Sequence, residues 1–359
     1  MATADVIFPS AAASTTWAPF EAKPMPQRDD GNFDPKKHLN FVPPSTVHTM
    51  ADIGLPEAIG VAPLAVSEPF PLFTKDAVMR MREEVLSKDV TSNCVYSSNL
   101  AQAYLRGYAD KYAPFVYNAW KSPETLNVIS QVAGIDLSLQ CDFEIGHINL
   151  SFKTEEQKNH EMQEYRHDCS QTKTNNNKIN TPDDDAPIVG WHTDSYPFVC
   201  VVMLSDCTEM IGGETALRTG SGSVLKIRSP QMGHAIVLQG RYITHAALRS
   251  LNAVERITMV TSFRPRNPHA RDDTVLTTVR PISHLPDLYY QFATYRLEML
   301  AARVASQLKE LADARAAGRT VATREIKRFL EEQERFVAHT NAEMVDEDEV
   351  VVGVLPQVV

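Results

Sequence analysis

Hydrophobic residues recur at helical spacing in three stretches of the first half of the chain. Apolar positions three and four apart predict a helix over residues 75–87, with Thr74 as its N-cap. The same spacing predicts helices over residues 100–107 and 123–133. The chain therefore has a helical lead-in before its central region.

A second helical region begins after residue 286. Apolar residues recur on one helical face, and after Gly318 the period restarts, which predicts two amphipathic helices with charged outer faces. The apolar positions before Gly318 are Leu297, Leu300, Val304, Leu308 and Leu311. We expect these helices to cover a sheet or to pack on a second subunit, so a homodimer through them is an open expectation.

Between the helical regions, the pattern changes to an alternation of apolar and polar residues. This alternation appears over residues 143–150, and short alternating segments with glycine-rich turns fill residues 188–266. Repeated short strands of this kind favour a sandwich or a barrel. The predicted fold class is therefore mainly β with flanking helices.

Two segments show neither the helical spacing nor the strand alternation of apolar residues. Residues 1–66 are rich in proline and predict an extended N-terminal arm, either disordered or wrapped around the core. Residues 153–187 form a polar insertion that is either a solvated loop or a lid over the residues that follow it. These features divide the chain into the arm, a β domain over residues 67–285, and C-terminal helices with an acidic tail over residues 286–359.

Composition narrows the classes of partner. The 359 residues include 43% hydrophobic residues and carry a net charge of −10, which argues against nucleic acid and against an anionic membrane surface. The five cysteines include no C-x-x-C pair, so neither a disulfide framework nor a zinc site is predicted. Residues 1–14 show no signal sequence or membrane span. We expect a cytoplasmic protein that acts on a small molecule.

Candidate metal ligands lie in the β-rich region. In an extended segment, His192 and Asp194 point to the same side, so both can reach one metal ion, although such a pair often arises by chance. His245 supplies a third ligand if a later strand returns beside the first. Two imidazoles and one carboxylate favour Fe(II) with open coordination positions, and zinc is the chemical alternative.

A candidate carboxylate-binding arginine follows the third metal ligand in the sequence. Arg256 lies eleven residues after His245, and alternation along the predicted strand points Thr258 the same way. A guanidinium fork and a hydroxyl can together bind a carboxylate. The pair therefore predicts an anchor for the far end of a dicarboxylic acid whose other end chelates the metal.

These residues resemble the hallmark of the Fe(II)/2-oxoglutarate-dependent oxygenases, over about residues 140–266. That hallmark is His-x-Asp, a distal His, and an Arg followed two residues later by Ser or Thr. Here it reads His192-Thr193-Asp194, His245 and Arg256-Ile257-Thr258. The resemblance implies a double-stranded β-helix, or jelly roll, and the cofactors Fe(II), 2-oxoglutarate and O2.

The resemblance also implies that a C–H bond of the substrate is oxidised while 2-oxoglutarate becomes succinate and CO2. It makes Asn149 a candidate polar contact of 2-oxoglutarate, with a strand-edge asparagine of no special role as the alternative. Tyr196 and Phe198, which follow the ligands, are candidates to line the substrate pocket or to pack in the core. Arg264 shares the strand parity of Arg256 and is a candidate for a substrate carboxylate, with a surface role as the alternative.

Segments 191–198 and 255–265 further resemble a subset of the family that is widespread in filamentous fungi and acts in secondary metabolism. Within it, they resemble the branch that oxidises small amino acids, including an oxygenase that forms an aziridine from valine. Two other functions stay open. One is a protein-directed oxygenase of the demethylase kind, and the other is an inactive jelly-roll binding protein.

Overall fold

The structure is a computed structural model that describes residues 32–99, 103–172, 187–228 and 231–355. The first part of the expected arm, residues 1–31, and the second part of the polar insertion, residues 173–186, lie outside the described residues. In the described part no helix is both long enough and apolar enough to cross a membrane.

The described residues form antiparallel sheets flanked by helices. The strands are β1 (Val47–Thr49), β2 (Leu64–Ser67), β3 (Phe70–Pro71), β4 (Val95–Tyr96), β5 (Ala103–Leu105), β6 (Leu137–Leu139), β7 (His147–Phe152), β8 (Pro187–His192), β9 (Phe198–Met203), β10 (Ile211–Gly212), β11 (Thr215–Arg218), β12 (Val224–Ile227), β13 (His234–Leu238), β14 (His245–Leu248), β15 (Ser250–Leu251) and β16 (Glu255–Pro265). The helices are α1 (Pro35–His38), α2 (Lys75–Val85), α3 (Lys88–Asn93), α4 (Ala109–Tyr112), α5 (Pro114–Lys121), α6 (Pro123–Ala133), α7 (Glu155–Thr172), α8 (Leu285–Ala316) and α9 (Thr323–Glu343).

A large sheet and a small sheet carry the fold. The large sheet has the order β1-β2-β13-β9-β16-β7-β5-β4, with β3 paired to β13 and β6 paired to β16. The small sheet has the order β12-β11-β14-β8, and β10 pairs with β15 apart from both. Strands distant in sequence are neighbours in both sheets, and this arrangement is consistent with the expected jelly roll.

Alternation along the central strands gives the large sheet two apolar faces. On β9, Phe198, Cys200 and Val202 belong to the core that packs the sheet against the helices, including Trp120 of α5. Val199, one position along, belongs to a second core with residues of both sheets. The small sheet therefore covers the face opposite the helices, and the space between the sheets is available for a site.

Two predicted helices are present with the caps read from the sequence. The Thr74 hydroxyl accepts the Ala77 N–H at the start of α2. Ser122 caps α6, which ends at Gly134 in the left-handed conformation (φ 70°) that glycine adopts without steric strain. The helix predicted over residues 100–107 was wrong in its described part, because residues 103–105 form strand β5 between β4 and β7.

The polar insertion also differs from the expected loop, because residues 155–172 form helix α7. Thr154 Oγ1 accepts the Gln157 N–H at 3.1 Å, and Gln157 Oε1 accepts the Thr154 N–H at 2.8 Å. This reciprocal capping box was a readable start signal that the polar composition masked. Glu161 accepts from Lys153 at 2.6 Å and ties α7 to the strand that precedes it.

The N-terminal arm was expected to run through residue 66, but its described part contributes to the large sheet. Strand β2 pairs with both β1 and β13, and Leu64, Ala65 and Val66 are buried. Prolines punctuate this segment without preventing short edge strands.

The C-terminal helices α8 and α9 lie where two helices were predicted, but their burial differs from the sequence pattern. Arg296 and Arg303 of α8 are buried against Phe336 of α9, while Leu297 and Leu308 are more than 60% exposed. The buried guanidiniums are satisfied by stacking on the ring and by donating to backbone carbonyls. The described residues therefore leave part of the apolar face read from the sequence uncovered.

Candidate metal centre

Three predicted ligands meet at the open end of the small sheet. His245 on β14 pairs in register with His192 on β8, and the two ring centroids are 4.4 Å apart. Asp194 follows β8, and its N–H donates to the Gly240 carbonyl at 2.9 Å. Its carboxylate oxygens lie 3.5 Å from His192 Nε2 and 3.6 Å from His245 Nε2.

Hydrogen bonds to backbone carbonyls fix the orientation and the tautomer of both imidazoles. His192 Nδ1 donates to the Gly190 carbonyl at 2.7 Å, and His245 Nδ1 donates to the Ile243 carbonyl at 2.9 Å. A proton held on Nδ1 leaves the Nε2 lone pair free to bind a metal, the usual arrangement of metal-ligating histidines. Both Nε2 atoms face the same carboxylate, so the three side chains converge on one point.

The donor set fits a divalent transition metal. One ligand atom from each of His192, Asp194 and His245 can be chosen so that all lie within 4.8 Å of one another. Burial alone would raise the pKa of Asp194, but its electrostatic interaction with His245 and a hydrogen bond from His192 lower it overall, which favours the ionised carboxylate. Two neutral imidazoles and one carboxylate on one side of the metal ion suit Fe(II) and leave coordination positions for other ligands.

Gly240 is part of the cradle of this centre. A Cβ atom at position 240 would lie 1.8 Å from Asp194 Oδ2. A side chain there would displace the carboxylate, so the close approach requires glycine at this position.

The predicted carboxylate anchor lies in the same space between the sheets. Arg256, Thr258 and Asn149 line a cavity of about 150 Å³ together with the three ligands. Thr258 on β16 pairs in register with Asn149 on β7, so their side chains leave the same face of the sheet. Asn149 and Arg256 also line a second, wider cavity of about 890 Å³ beside α7.

Arg256 is a buried cation that pairs with no carboxylate among the described residues. Burial lowers the pKa of its guanidinium, and its one hydrogen bond is a 3.4 Å contact from Nη2 to the Gly213 carbonyl. Its Nε is buried without a partner in the described part of the chain. A desolvated guanidinium is stabilised by an anion, and the planar fork suits a carboxylate.

Of the three residues predicted to contact the substrate, one lines the cavity and two lie outside it. Tyr196 is buried and lines the cavity. Phe198 instead lies in the core between the large sheet and the helices, because alternation on β9 turns it away from the cavity-facing Val199. Arg264 lies beyond the cavity and stacks on Tyr295 of α8, with 4.7 Å from Cζ to the ring centroid.

A buried polar network that the sequence did not reveal lines the same cavity. Arg106 pairs with Glu144, and its Nη1 lies 2.5 Å from His147 Nδ1. The Tyr196 hydroxyl donates to Glu144 Oε1 at 2.8 Å. His147 is two residues from Asn149 on β7, so strand alternation was a usable signal for it. Arg106 had no such signal, because its segment was predicted as helix.

The fold and site thus define a β-sheet protein in which three side chains that could hold a metal ion share one cavity with a buried arginine. No protein-family model and no curated protein matches the chain. Among solved structures, it is similar to a Pseudomonas putida prolyl-4-hydroxylase, with 14% identity, a TM-score of 0.33, and coverage of 54% of this chain and 88% of that one.

Two further structures are similar at the same level. The epimerase SnoN from nogalamycin biosynthesis, described as non-heme and alpha-ketoglutarate-dependent, shows 13% identity and a TM-score of 0.35, covering 54% and 74% of the two chains. AviO1 from Streptomyces viridochromogenes Tue57 shows 13% identity and a TM-score of 0.37, covering 57% and 91%. Because these TM-scores are low, the functional proposal rests on the residues of the site.

Proposed function

We propose that the protein is an Fe(II)- and 2-oxoglutarate-dependent oxygenase with a double-stranded β-helix core that oxidises a C–H bond of a small metabolite. The observation that carries the proposal is one cavity that holds both the convergent His192, Asp194 and His245 set and a buried Arg256, which has no acidic partner among the described residues. A metal centre alone would not require a buried cation nearby. A dicarboxylic cosubstrate requires both.

Each residue has a role that follows from its position. His192, Asp194 and His245 would hold Fe(II) from one side, while Arg256, with Thr258 and Asn149, would bind the far carboxylate of 2-oxoglutarate. Iron and 2-oxoglutarate, when bound, supply the means to activate O2, with succinate and CO2 as coproducts. The aliphatic wall formed by Val199, Val201, Leu238 and Val260 would exclude water from the reacting C–H bond.

A small amino acid such as valine is the substrate class that we propose within this function, with hydroxylation or oxidative closure to an aziridine as the outcome. Two points support it. The inner cavity of about 150 Å³ is smaller than the roughly 300–1,000 Å³ of sites for drug-sized ligands. The sequence also resembles the amino-acid-oxidising branch of the family. Oxidised peptides rather than small acids in a product screen would favour the protein-directed alternative.

The proposed function is tested by binding under argon. Purified protein should bind one Fe(II), and 2-oxoglutarate should then bind and give the visible absorption band of a 2-keto acid chelated to Fe(II). His192→Ala should lose both, whereas His269→Ala, which removes an exposed imidazole, should lose neither. Failure of the unaltered protein to bind iron or 2-oxoglutarate would leave the inactive binding protein as the better description.

A further inference from the structure

The cavity has a second polar end, formed by Arg106, Glu144, His147 and Tyr196, which we name the inner polar cluster. Strand register separates it from the Arg256 end. Arg256 pairs with Ser151 and Val260 pairs with His147, so the two levels are four residues apart along β16. At about 3.3 Å per residue, the separation is about 13 Å. The metal ligands lie on the opposite sheet of the same cavity.

Two hydrogen-bond donors in this cluster have no acceptor among the described residues. Arg106 is 2% exposed, and its Nε is buried without a partner. Because an arginine nitrogen must donate, His147 Nδ1 accepts from Arg106 Nη1, and the neutral ring then carries its proton on Nε2. That Nε2 is also buried, with no acceptor at hydrogen-bond distance among the described residues, although the Asn149 side chain interacts with the ring and partly offsets the lowering of the pKa of His147 by burial. Burying a donor without an acceptor is unfavourable, so these two donors favour a ligand that supplies acceptors at this position.

The charges of the cluster cancel without a ligand. Arg106 contributes one positive charge and Glu144 one negative charge, both nearly fully buried. A simple anion would leave an excess negative charge in this space, and a simple cation would leave an excess positive one. A zwitterion adds no net charge and supplies both an acceptor for the two donors and a donor for the carboxylate.

We propose that the inner polar cluster is the subsite for the polar head of a zwitterionic amino acid substrate. The substrate carboxylate accepts from Arg106 Nε and His147 Nε2, and its ammonium group donates to Glu144. The side chain of the amino acid is thereby directed along the aliphatic wall toward the metal centre. This inference rests on the proposed function and assigns the residues that select its substrate.

The test is a binding measurement by calorimetry under argon, with protein loaded with Fe(II) and 2-oxoglutarate. The probes are the common L-amino acids, together with 3-methylbutanoate and 2-methylpropylamine, which are valine without its ammonium group and valine without its carboxylate. We expect at least one amino acid to bind, and both truncated probes to bind at least tenfold more weakly than valine or not at all.

The double variant Arg106→Gln/Glu144→Gln removes both charges and retains hydrogen-bonding groups. It should keep iron and 2-oxoglutarate binding and lose amino acid binding at least tenfold. Arg82→Gln/Glu255→Gln is the matched control, because it removes an Arg–Glu pair on the helix-covered face of the same sheet. The control should bind the amino acid normally.

Three results would overturn the subsite. They are no amino acid binding to loaded protein, equal binding of the truncated probes, or unchanged binding by the Arg106→Gln/Glu144→Gln variant. A cluster that serves only to hold β5 against the chain at Glu144 would lower thermal stability in that variant without changing which probes bind. Loss of iron or 2-oxoglutarate binding by the unaltered protein would instead refute the proposed function.

A separate observation concerns the uncovered face of the C-terminal helices. Exposed aliphatic side chains lie in one row on each of α8 and α9, and we name these residues the α8–α9 face. They are Leu297, Val304 and Leu308 on α8 and Leu330 and Val337 on α9, between 39% and 62% exposed. Arg303 of α8 contacts Phe336 of α9, and the two helices run antiparallel. At 100° per residue, each exposed row lies about 100–140° around its helix axis from the residue that makes this contact. Both rows therefore lie on the same side of the helix pair.

The α8–α9 face is complementary to itself. If two α8 helices cross antiparallel at the level of Arg303, Leu297 of one copy meets Leu308 of the other. Glu298 then lies opposite Lys309 of the second copy, and both residues are exposed. At 1.5 Å per residue, the exposed rows extend over about 17 Å of α8 and about 11 Å of α9.

We infer that a second copy of the chain covers the α8–α9 face in a two-fold dimer. Light scattering and sedimentation should give a dimer for the unaltered protein and a monomer for Leu308→Glu. Val224→Glu, which charges an exposed valine on the edge of the small sheet, should stay dimeric. Glu298→Lys should weaken the dimer, and adding Lys309→Glu should restore it. A monomeric unaltered protein, or a dimeric Leu308→Glu variant, would refute the interface.

Discussion

Replacing Gly240 by alanine should disable the metal centre without unfolding the protein. The added Cβ would lie 1.8 Å from Asp194 Oδ2 and 2.7 Å from Asp194 Cγ. An ordinary contact starts at 3.4 Å, so the carboxylate must move by about 1.6 Å (3.4 − 1.8). Metal–ligand distances tolerate only about 0.2 Å, so the displaced carboxylate no longer fits beside the two histidines.

We expect Gly240→Ala to lower Fe(II) affinity at least about 100-fold, the upper end of the effect of residues that orient metal ligands. Anaerobic calorimetry with Fe(II) measures the affinity, and thermal unfolding monitored by circular dichroism verifies the fold. Gly222→Ala is the control, because a Cβ at that position meets nothing within 4 Å. It should cost about 1–2 kcal/mol of stability, because an L-residue is strained at the positive φ of this position, and it should leave iron binding unchanged.

A Gly240→Ala variant that binds Fe(II) within threefold of the unaltered protein would show that Asp194 is not a ligand held by this cradle. The same result with an unchanged 2-oxoglutarate complex would refute the assignment of the whole centre. If Gly240→Ala loses both iron binding and its fold, the loss of binding has no clear cause. Asp194→Asn then serves as the second variant, because it adds no volume and should give the same loss of Fe(II) affinity in a folded protein.

Three further outcomes are expected. Arg256→Met should lower the affinity for 2-oxoglutarate by about 10- to 100-fold, since a hydrogen bond to a charged group contributes about 1.5–3 kcal/mol. The Fe(II) affinity measured in the same titration should stay unchanged. Thr154→Ala should cost about 1 kcal/mol in the local stability of α7, seen as faster hydrogen exchange there but not in α6. Trp120→Ala, in the core under the large sheet, should cost about 3–5 kcal/mol in urea unfolding with the metal site retained. An effect of Trp120→Ala below 1 kcal/mol would contradict the packing described.

The elements with local signals could be predicted well. Thr74 and Ser122 mark the starts of α2 and α6 by side-chain capping, which depends only on neighbouring residues. The Thr154–Gln157 capping box was equally local, but the polar composition after it favoured a loop. Strand β5 could not be read in this way, because pairing with β4 and β7 decides its conformation.

The sequence by itself determined the kinds of chemistry that the site could hold. His192, Asp194, His245, Arg256 and Thr258 were recognisable because their types and spacings suit one metal and one carboxylate, and strand alternation places two of the ligands on one side. What it left open was whether these residues meet. The register of β14 on β8 brings the histidines together, and the register of β16 on β7 brings Thr258 beside Asn149.

Only the tertiary structure decided which other residues share the cavity. Phe198 and Tyr196 were equivalent candidates from the sequence, but the direction of alternation in β9 buries Phe198 on the helix side of the sheet. Arg106 and Glu144 are 38 residues apart and carry no motif, and they meet because Arg106 follows β5, Glu144 lies shortly before β7, and β5 pairs with β7. Ligand types are encoded locally, whereas the shape and charge of a cavity depend on contacts between distant segments, and those contacts are set by packing and register.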